Sequence, residues 1–223
     1  MSNWRTRNLW ALSLVSLAQD AASELLYPLI LILLTSVLGA PVVVVGAIEG
    51  AAEGAAALTK LVSGKLSDRI RRRPLIFLGY SAAAVGKIII ALALVWPVVL
   101  LGRVIDRLGK GVRSAPRDAL LVENVEKEDR GKVIGFHRAA DSLGAVIGPL
   151  LGLLALSAYH GNIRKALWIA VIPAVLSVVF VFFARDSRPR PSKAKDFPKP
   201  CSAASTSEAT NSGLGSIWSR EFS

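Results

Sequence analysis

The stretch Gly64-Lys65-Leu66-Ser67-Asp68-Arg69-Ile70-Arg71-Arg72-Arg73-Pro74 separates two long apolar runs of this sequence. Lysine and arginine are enriched in the loops on the cytoplasmic side of membrane proteins, and this stretch is rich in both. Asp68 can pair with a neighbouring basic residue or approach a helix N-terminus, while the arginines anchor the loop at the membrane surface. The stretch therefore predicts a cytoplasmic loop between two membrane-spanning helices.

The composition of the whole chain also indicates a membrane protein. Of its 223 residues 52% are hydrophobic, and the mean hydropathy is +0.49, which is more apolar than a soluble domain. Basic loops at a membrane surface explain the formal net charge of +11. No nucleic-acid partner is expected, because neither zinc-ligand spacing nor a helix-turn-helix pattern accompanies the basic clusters. The single cysteine, Cys201, excludes an intrachain disulfide.

Six windows of the sequence are long and apolar enough to cross a bilayer, whose hydrocarbon core of roughly 30 Å requires about 20 helical residues. The predicted spans are residues 9–38, 42–66, 74–96, 97–121, 132–158 and 165–184. An even number of crossings places both ends of the bundle on the same side of the membrane. We therefore predict an all-α membrane protein in which residues 1–184 form six transmembrane helices.

The distribution of basic residues predicts the orientation of this bundle. Arginine and lysine are concentrated at one set of loops and tails, and Arg164 and Lys165 are the exceptions. By the positive-inside rule, both termini lie in the cytoplasm and the protein is a multi-pass protein of the cell membrane. Residues 185–223 are rich in proline, serine and threonine, which predicts a flexible cytoplasmic linker. We expect a second membrane domain to follow it, so that the chain is part of a longer transporter.

Glycine recurs at four-residue spacing in two of the predicted spans. The stripes are Gly46, Gly50 and Gly54 in the second span and Gly144, Gly148 and Gly152 in the fifth. Small side chains let transmembrane helices approach closely, so generic helix packing explains either stripe alone. Because each stripe lies on the second helix of a three-helix unit, the pair predicts two inverted three-helix repeats.

The basic loop resembles the cytoplasmic signature G-x-L-a-D-r-x-G-r-[RK] of the major facilitator superfamily. In that family the loop acts as a conformational latch. The resemblance implies this role for Gly64, Asp68, Arg69, Arg72 and Arg73. Arg71 stands where the family has glycine, so we expect a turn of different shape here.

Two further motifs follow in the order of the family. Gly102-Arg103-Val104-Ile105-Asp106-Arg107-Leu108-Gly109-Lys110-Gly111 resembles the fourth-span pattern R-x-x-q-G-x-G-x-G. The resemblance places Arg103 on the buried arginine implicated in proton coupling, with Asp106 and Arg107 in place of glutamine and glycine. Gly144-Ala145-Val146-Ile147-Gly148-Pro149-Leu150-Leu151-Gly152 resembles the antiporter signature G-x-x-x-G-P-x-x-G. A purely structural role for Pro149 and these glycines is equally physical.

Taken together, the motifs resemble the N-terminal six-helix half of a major facilitator transporter. The resemblance covers residues 9–184. Residues 19–28 and 48–53 are similar to a drug-efflux-like branch of that family. The implied fold is therefore half of a major facilitator fold, with the substrate left open.

Charged residues within the predicted spans are the candidate machinery. A charge at the bilayer centre costs about 2.5–3.5 kcal/mol, so such residues face the bundle interior or a cavity. The candidates for proton coupling or the substrate cavity are Asp20, Glu24, Glu49, Glu53, Arg103, Asp106, Arg107, Arg138 and Asp141. We expect a facing set on spans one and four, in which an approaching arginine displaces a proton from Asp20 or Glu24. The competing interpretation is a static ion network that only assembles the bundle.

Several other charged residues have a simpler explanation. Those near the cytoplasmic ends are expected to snorkel to the membrane surface, namely Lys60, Lys65, Lys110, Arg113 and Arg117. His137 is a candidate proton relay, although a histidine near the membrane surface is more often an ordinary hydrogen-bonding residue. In the family, spans one, two, four and five line the cavity or contact the opposite half, whereas span three is peripheral. Lys87 lies on span three and is therefore an exception to the concentration of charge on the other spans.

These features predict a secondary active transporter, with proton-coupled efflux of a small solute or drug by alternating access as the leading hypothesis. Uptake or exchange of an organic anion is an alternative, motivated by the excess of arginine over acid on the fourth span. A non-transporting membrane partner or truncated fragment is a third. The expected partners are the lipid bilayer, a small-molecule substrate, protons, and either a C-terminal six-helix half or a second copy. No enzyme activity, cofactor or metal site is expected.

Overall fold

The computed structural model describes residues 6–67, 70–123 and 125–183, and all regular structure within these ranges is helical. Their six α-helices are α1 (Arg7–Ile32), α2 (Val42–Ser67), α3 (Arg72–Leu92), α4 (Trp96–Val122), α5 (Arg130–Ala158) and α6 (Ile163–Val181). The predicted all-α class is confirmed.

Two short turns complete the described secondary structure. A π-helical turn, Leu33–Val37, extends α1, and a 3-10 turn, Lys127–Asp129, leads into α5. The predicted latch residues Asp68 and Arg69, and the predicted linker at residues 185–223, lie outside the described residues.

The ends of the helices have local causes in the sequence. Thr6 caps α1, because its side chain accepts a hydrogen bond from the Leu9 amide at 3.2 Å. Pro97 lies in the first turn of α4, where its missing N–H breaks no helical hydrogen bond. The boundary between the third and fourth helices therefore differs from the predicted one: α3 ends at Leu92 and α4 begins at Trp96.

Five of the helices are long and apolar enough, by length and composition, to cross a membrane. The exception is α4, which is long enough but carries too many charged residues. Most of these side chains point inward. Those that expose 7% of their surface or less are Arg103, Asp106, Arg107, Arg113 and Arg117. The polarity of α4 is therefore directed mainly at its neighbours within the bundle.

The helices alternate in direction, as two apolar clusters show. One cluster joins the starts of α1, α3 and α5 to the ends of α4 and α6, through Leu9, Ile76, Val133, Leu120 and Val181. The other joins the opposite ends, through Leu34, Val45, Ile90, Val99 and Leu167. Successive helices thus run antiparallel between two apolar ends.

The central helices of the bundle are α1 and α4. The first packs on α5 and α6, the second on α2 and α3, and α3 also contacts α6. If α1, α2 and α3 are exchanged with α4, α5 and α6, the α1–α5 contact corresponds to α4–α2 and the α1–α6 contact corresponds to α4–α3. The two three-helix units therefore have corresponding neighbours.

The glycine stripe of α5 lies directly against α1. A Cβ atom on Gly144 would lie 2.6 Å from the carbonyl oxygen of Leu17, and one on Gly148 would lie 2.6 Å from that of Ala21. Gly152 is also buried, farther along the same face. The backbones of α1 and α5 approach so closely that side chains larger than hydrogen do not fit between them.

The glycine stripe of α2 points away from the other helices. A Cβ atom on Gly46, Gly50 or Gly54 would meet nothing within 4 Å. The contact of α2 with α4 is made by another face, where the Ser63 hydroxyl donates a hydrogen bond to the Gly111 carbonyl oxygen at 2.9 Å. The two stripes, although alike in sequence, have different surroundings.

Gly148→Ala and Gly54→Ala test this difference as a matched pair. Alanine favours a helix over glycine by up to about 1 kcal/mol, but at Gly148 the added methyl forces α1 and α5 apart at a cost of about 1–3 kcal/mol. We expect Gly148→Ala to lower the melting temperature of the detergent-solubilised chain and Gly54→Ala to leave it unchanged or raise it. Equal shifts in both variants would contradict the packing described here.

Candidate functional site

Arg103 of α4 is the centre of a buried ion-pair network. Its Nε and Nη2 atoms donate hydrogen bonds to Oε1 and Oε2 of Glu49 on α2, both at 2.9 Å. The Arg103 side chain is fully buried, and its Cζ atom lies 5.6 Å from the centre of the Tyr27 ring. Because the pair is bidentate, it fixes the orientation of the guanidinium as well as its position.

Asp106 extends the network from α4 to α3. Its Oδ1 atom accepts a hydrogen bond from Lys87 Nζ at 2.5 Å, and its Oδ2 atom lies 3.6 Å from Arg103 Nη1. Lys87 is fully buried. A Cβ atom on Gly86 would lie 2.7 Å from the Asp106 amide nitrogen, so glycine lets α3 approach closely here. With Glu49, the network contains two positive and two negative groups.

Arg107 repeats the pairing with α2 one turn farther along α4. Its Nε atom lies 3.1 Å from Oε1 of Glu53, whose side chain is 61% exposed. Arg103 and Arg107 therefore face acids of α2, not the facing set expected on α1. The reason is the packing of α1, which contacts α5 and α6 far more than α4. Among the described residues, Asp20 and Glu24 have no ion-pair partner within 4 Å.

A cavity of about 350 Å³ lies farther along α4, between α1, α2, α4 and α5. Three of the predicted site residues line it: Asp20 of α1 and Arg138 and Asp141 of α5. Eight of the nine predicted candidates thus fall into two places, and Glu24 lies in neither. Glu49, Glu53, Arg103, Asp106 and Arg107 form ion pairs of α4 with α2 and α3.

Two acids of the cavity are held by arginines. Arg117 Nη2 lies 3.2 Å from Asp118 Oδ1 and 3.7 Å from Asp141 Oδ2. Arg138 lies 3.5 Å from Asp118 Oδ2 and 3.7 Å from Asp141 Oδ2. Arg117 Nη1 also donates a hydrogen bond to Ser16 Oγ at 2.6 Å. These contacts connect α1, α4 and α5 at the cavity wall.

His137 is buried beside this group. Its Nδ1 atom is hydrogen-bonded to Ser13 Oγ at 3.2 Å, and its Nε2 atom lies 3.6 Å from Asp141 Oδ1. The side chain is 1% exposed. These contacts fit an ordinary hydrogen-bonding residue, while a role as proton relay stays a prediction.

The sequence led us to expect that Arg113 and Arg117 snorkel to the surface, but in the structure they are buried. Their surfaces are 3% and 6% exposed, respectively. The Cζ atom of Arg113 lies 4.5 Å from the centre of the Tyr80 ring on α3, in a cation–π arrangement. One sequence signal could have indicated the burial of these two arginines. Charged residues recur every three or four positions of α4, and residues at this spacing share a helix face.

The described residues of the predicted latch connect helix ends. Arg72 Nη1 lies 3.1 Å from Glu123 Oε2, which follows α4. Arg73 Nη2 donates a hydrogen bond to the Phe182 carbonyl oxygen at 2.8 Å, which follows α6. Gly64 lies in the last turns of α2. The arginines thus join the start of α3 to the ends of α4 and α6, and the latch role stays a prediction.

The antiporter-like motif contacts the part of α1 that carries the candidate acids. A Cβ atom on Gly148 would lie 2.8 Å from the Glu24 Cβ atom. Pro149 follows inside α5, which continues as an α-helix to Ala158. The motif therefore sets the spacing between α5 and the Asp20–Glu24 segment, and its association with antiport stays a prediction.

Comparison with known proteins decides the family. A family model described as the Major Facilitator Superfamily matches residues 12–222. The chain belongs to the major facilitator superfamily. It is 30% identical to the uncharacterized MFS-type transporter MJ1317 of Methanocaldococcus jannaschii over 191 residues. The aligned region covers 85% of this chain and 47% of that protein. The resemblance inferred from the motifs is confirmed.

Solved structures of the superfamily share the fold. The human organic anion transporter MFSD10 (TETRAN) matches with a TM-score of 0.68 at 23% identity, over 83% of this chain and 49% of that one. A bacterial homolog of the human lysosomal transporter Spinster matches with a TM-score of 0.72 at 18% identity, over 86% and 47%. The chain spans about half the length of these proteins. Family and relatives point to a membrane transporter, not an enzyme.

Lys87→Met tests whether the buried network is a unit. Removing one member of a buried pair leaves its partner uncompensated, which costs about 3–5 kcal/mol, whereas removing both costs less. We expect Lys87→Met to lower the melting temperature strongly and Lys87→Met/Asp106→Asn to be more stable than Lys87→Met alone. Additive losses in this double-mutant cycle would show that the two residues act independently.

Lys165→Met supplies the control for the same substitution outside the network. Lys165 is exposed at the start of α6, and among the described residues it has no ion-pair partner within 4 Å. Substitution of an exposed residue without such contacts usually changes the free energy of unfolding by no more than about 0.5 kcal/mol. The melting temperature of Lys165→Met should therefore stay close to that of the unaltered chain.

Proposed function

We propose that the chain is the six-span half of a secondary active transporter, which exports a small solute in exchange for protons by alternating access. The observation that carries the proposal is the position of charge along α4. A neutral network of Glu49, Arg103, Asp106 and Lys87 is buried between helices, and an open charged cavity follows on the same helix. Ion pairs inside a bundle are costly to break singly but can exchange partners, which provides two discrete arrangements.

Asp20 is the carboxylate best placed to exchange a proton with solvent. It lines the cavity and has no ion-pair partner within 4 Å among the described residues. The cations that line the same cavity include Lys110, Arg113 and Arg117. Approach of an arginine favours the ionised carboxylate, and its withdrawal favours the protonated one. Rocking of the bundle then links proton uptake at Asp20 to solute movement. The export direction rests on the likeness of Gly148 and Pro149 to the antiporter motif.

We include α4 as the sixth crossing of the bilayer. Its length of 27 residues is sufficient, and three of its buried charged residues, Arg103, Asp106 and Arg107, are paired with residues of α2 or α3. The neighbours of α1 and α4 correspond, which supports two inverted three-helix repeats.

A second six-helix unit completes the transporter in this proposal, either a C-terminal half or a second copy of the chain. The spans α2 and α5 are the least buried of the five apolar ones, because only 17% and 22% of the residues in their most apolar stretches are buried. Gly46, Gly50 and Gly54 offer α2 a smooth face with open space beyond it. Small residues of this kind allow close packing of helices in lipid.

The proposed orientation places both termini in the cytoplasm of a cell-membrane protein. The end of the bundle with the start of α3 carries Arg71, Arg72 and Arg73, whereas the start of α6 carries Arg164 and Lys165. The excess of arginine favours the first end as the cytoplasmic one.

Cysteine labelling tests this orientation, because Cys201 is the only cysteine of the chain. A membrane-impermeant maleimide should label Cys201 in permeabilised cells and not in intact ones. Lys165 lies at the start of α6, at the end of the bundle opposite the start of α3, so the new thiol of Cys201→Ser/Lys165→Cys should be labelled in intact cells as well as in permeabilised ones. If intact cells label Cys201, the proposed orientation is wrong.

Exchange or uptake of an organic anion is the second candidate function. It is favoured by the charge of the cavity, whose lining includes five cationic and three acidic side chains. The likeness in fold to the human organic anion transporter MFSD10 is compatible with this candidate. The two candidates differ in the direction and proton stoichiometry of transport.

Proton coupling is testable in proteoliposomes that contain the complete transporter, that is, this chain with its second half or its second copy. We expect Asp20→Asn, Glu24→Gln and Arg103→Ala to reduce solute-dependent proton flux, with at least a roughly tenfold loss for Asp20→Asn and Arg103→Ala. Loss of one charge-assisted interaction corresponds to a factor of about this size. Solute exchange without a proton gradient should survive in Asp20→Asn.

Lys165→Gln is the control, because Lys165 is exposed and lies at the start of α6, away from the cavity. Its proton flux should equal that of the unaltered transporter. Unchanged coupling in all three test variants would overturn the proton-exchange mechanism.

A further inference from the structure

We propose that the cavity between α1, α2, α4 and α5 is an oxyanion-binding site centred on Arg113, and that it takes the carboxylate or phosphate group of a small organic anion. This inference rests on the proposed function, and in particular on its second candidate, the transport of an organic anion. It names the chemical class of the solute and the groups that bind it.

The charges of the cavity are unevenly satisfied. Its acids Asp118 and Asp141 each lie within 4 Å of both Arg117 and Arg138. The remaining charged lining residues are Lys60, Lys110, Arg113 and Asp20. Three cations therefore share a single carboxylate, and an added anion would complete the set.

Arg113 is the cation in most need of an acceptor. Its surface is only 3% exposed, yet among the described residues its Nε and Nη1 atoms have no hydrogen-bond partner. Its guanidinium lies over the Tyr80 ring, which restrains its position from the α3 side. Buried donors without an acceptor are costly, and a buried charged donor more so. A group that enters the cavity and accepts from this guanidinium removes that cost.

The chemistry of the donors selects an oxyanion. Guanidinium groups bind carboxylates and phosphates with matched planar geometry, and lysine adds a mobile positive charge. Lys110 is exposed in the cavity and so is free to approach a ligand from the side of α4. The volume of about 350 Å³ is within the usual range of small-molecule sites.

Asp20 competes with such an anion for the same cations. Asp20 lines the same cavity as Arg113, Lys110 and Lys60. An ionised Asp20 therefore repels the incoming anion and shares its cations. Removing this carboxylate should strengthen anion binding, whereas a purely structural role of Asp20 predicts no gain.

The test is calorimetric titration of the full chain in phosphatidylcholine nanodiscs with succinate and with inorganic phosphate. Choline chloride at equal ionic strength is the cationic control. We expect succinate or phosphate to bind and choline not to bind. Arg113→Gln should weaken anion binding at least roughly tenfold, Lys110→Gln should weaken it less, and Asp20→Asn should tighten it.

Two variants keep the result interpretable. Arg113→Lys retains the positive charge and should recover part of the affinity lost in Arg113→Gln, so that a folding defect is separated from loss of the ligand contact. Lys165→Gln removes a positive charge far from the cavity and should leave the Kd unchanged. Anion binding that is equal in Arg113→Gln and Lys165→Gln would overturn the inference.

A second arm distinguishes soluble anions from lipid headgroups, which offer the same oxyanion chemistry. In nanodiscs that also contain phosphatidylglycerol, competition with succinate that depends on Arg113 identifies a headgroup as a ligand of the site. Unaltered succinate affinity identifies the soluble anion. Absence of binding by succinate, phosphate and phosphatidylglycerol would overturn the inference.

Proton flux in the complete transporter separates this inference from the function on which it rests. Solute-dependent flux without anion binding would leave the transporter proposal intact and refute the anion site. Anion binding that depends on Arg113, without any flux, would support the site and refute transport by proton exchange.

Discussion

A buried charge is stabilised by a counter-charge within the same bundle, and the Arg103 region of α4 is organised around this constraint. The bidentate contact of Arg103 with Glu49 holds a guanidinium between the helices, where the Arg103 side chain has no exposed surface. That contact is sustainable because Asp106 and Lys87 supply a second pair within reach. Without these partners, a helix with the charge of α4 has no stable position among five apolar ones. The network therefore explains why a polar helix lies at the centre of this bundle.

The close approach of helix backbones at glycines accompanies these buried ion pairs. Short ion pairs across helices require short distances between helix axes, and glycine provides them where α3 meets α4 at Gly86. The same means brings α5 onto α1 at Gly144 and Gly148. The chain uses its small residues to determine which helices touch, and the charged residues then find partners on those helices. The open stripe of α2 has no such contact among the described residues, which is why we associate it with a second unit.

The sequence predicts much of the fold, since long apolar windows and the basic loop define helices directly, and three motifs define the family. It does not predict which charges meet. Helical spacing places Arg103, Arg107 and Arg113 near one face, but the rotation of α4 about its axis and its choice of neighbours depend on packing with α2 and α3. For this reason Arg103 pairs with Glu49 and not with Asp20 or Glu24. The burial of Arg113 and the partner of Lys87 depend on Tyr80 and Asp106, which lie far away in sequence.

The two charged regions of α4 differ in how well their charges are balanced. Around Arg103 the positive and negative groups balance, so a ligand that carries charge would break existing pairs in order to bind. Around Arg113, about 15 Å farther along the helix by its rise per residue, cations outnumber acids and donors remain without acceptors. A charged solute gains most from the second region and least from the first. A change in Arg103 pairing can nevertheless reach the cavity, because both regions lie on one rigid helix. In the proposed transporter, a solute therefore binds without breaking the ion pairs that hold the bundle together.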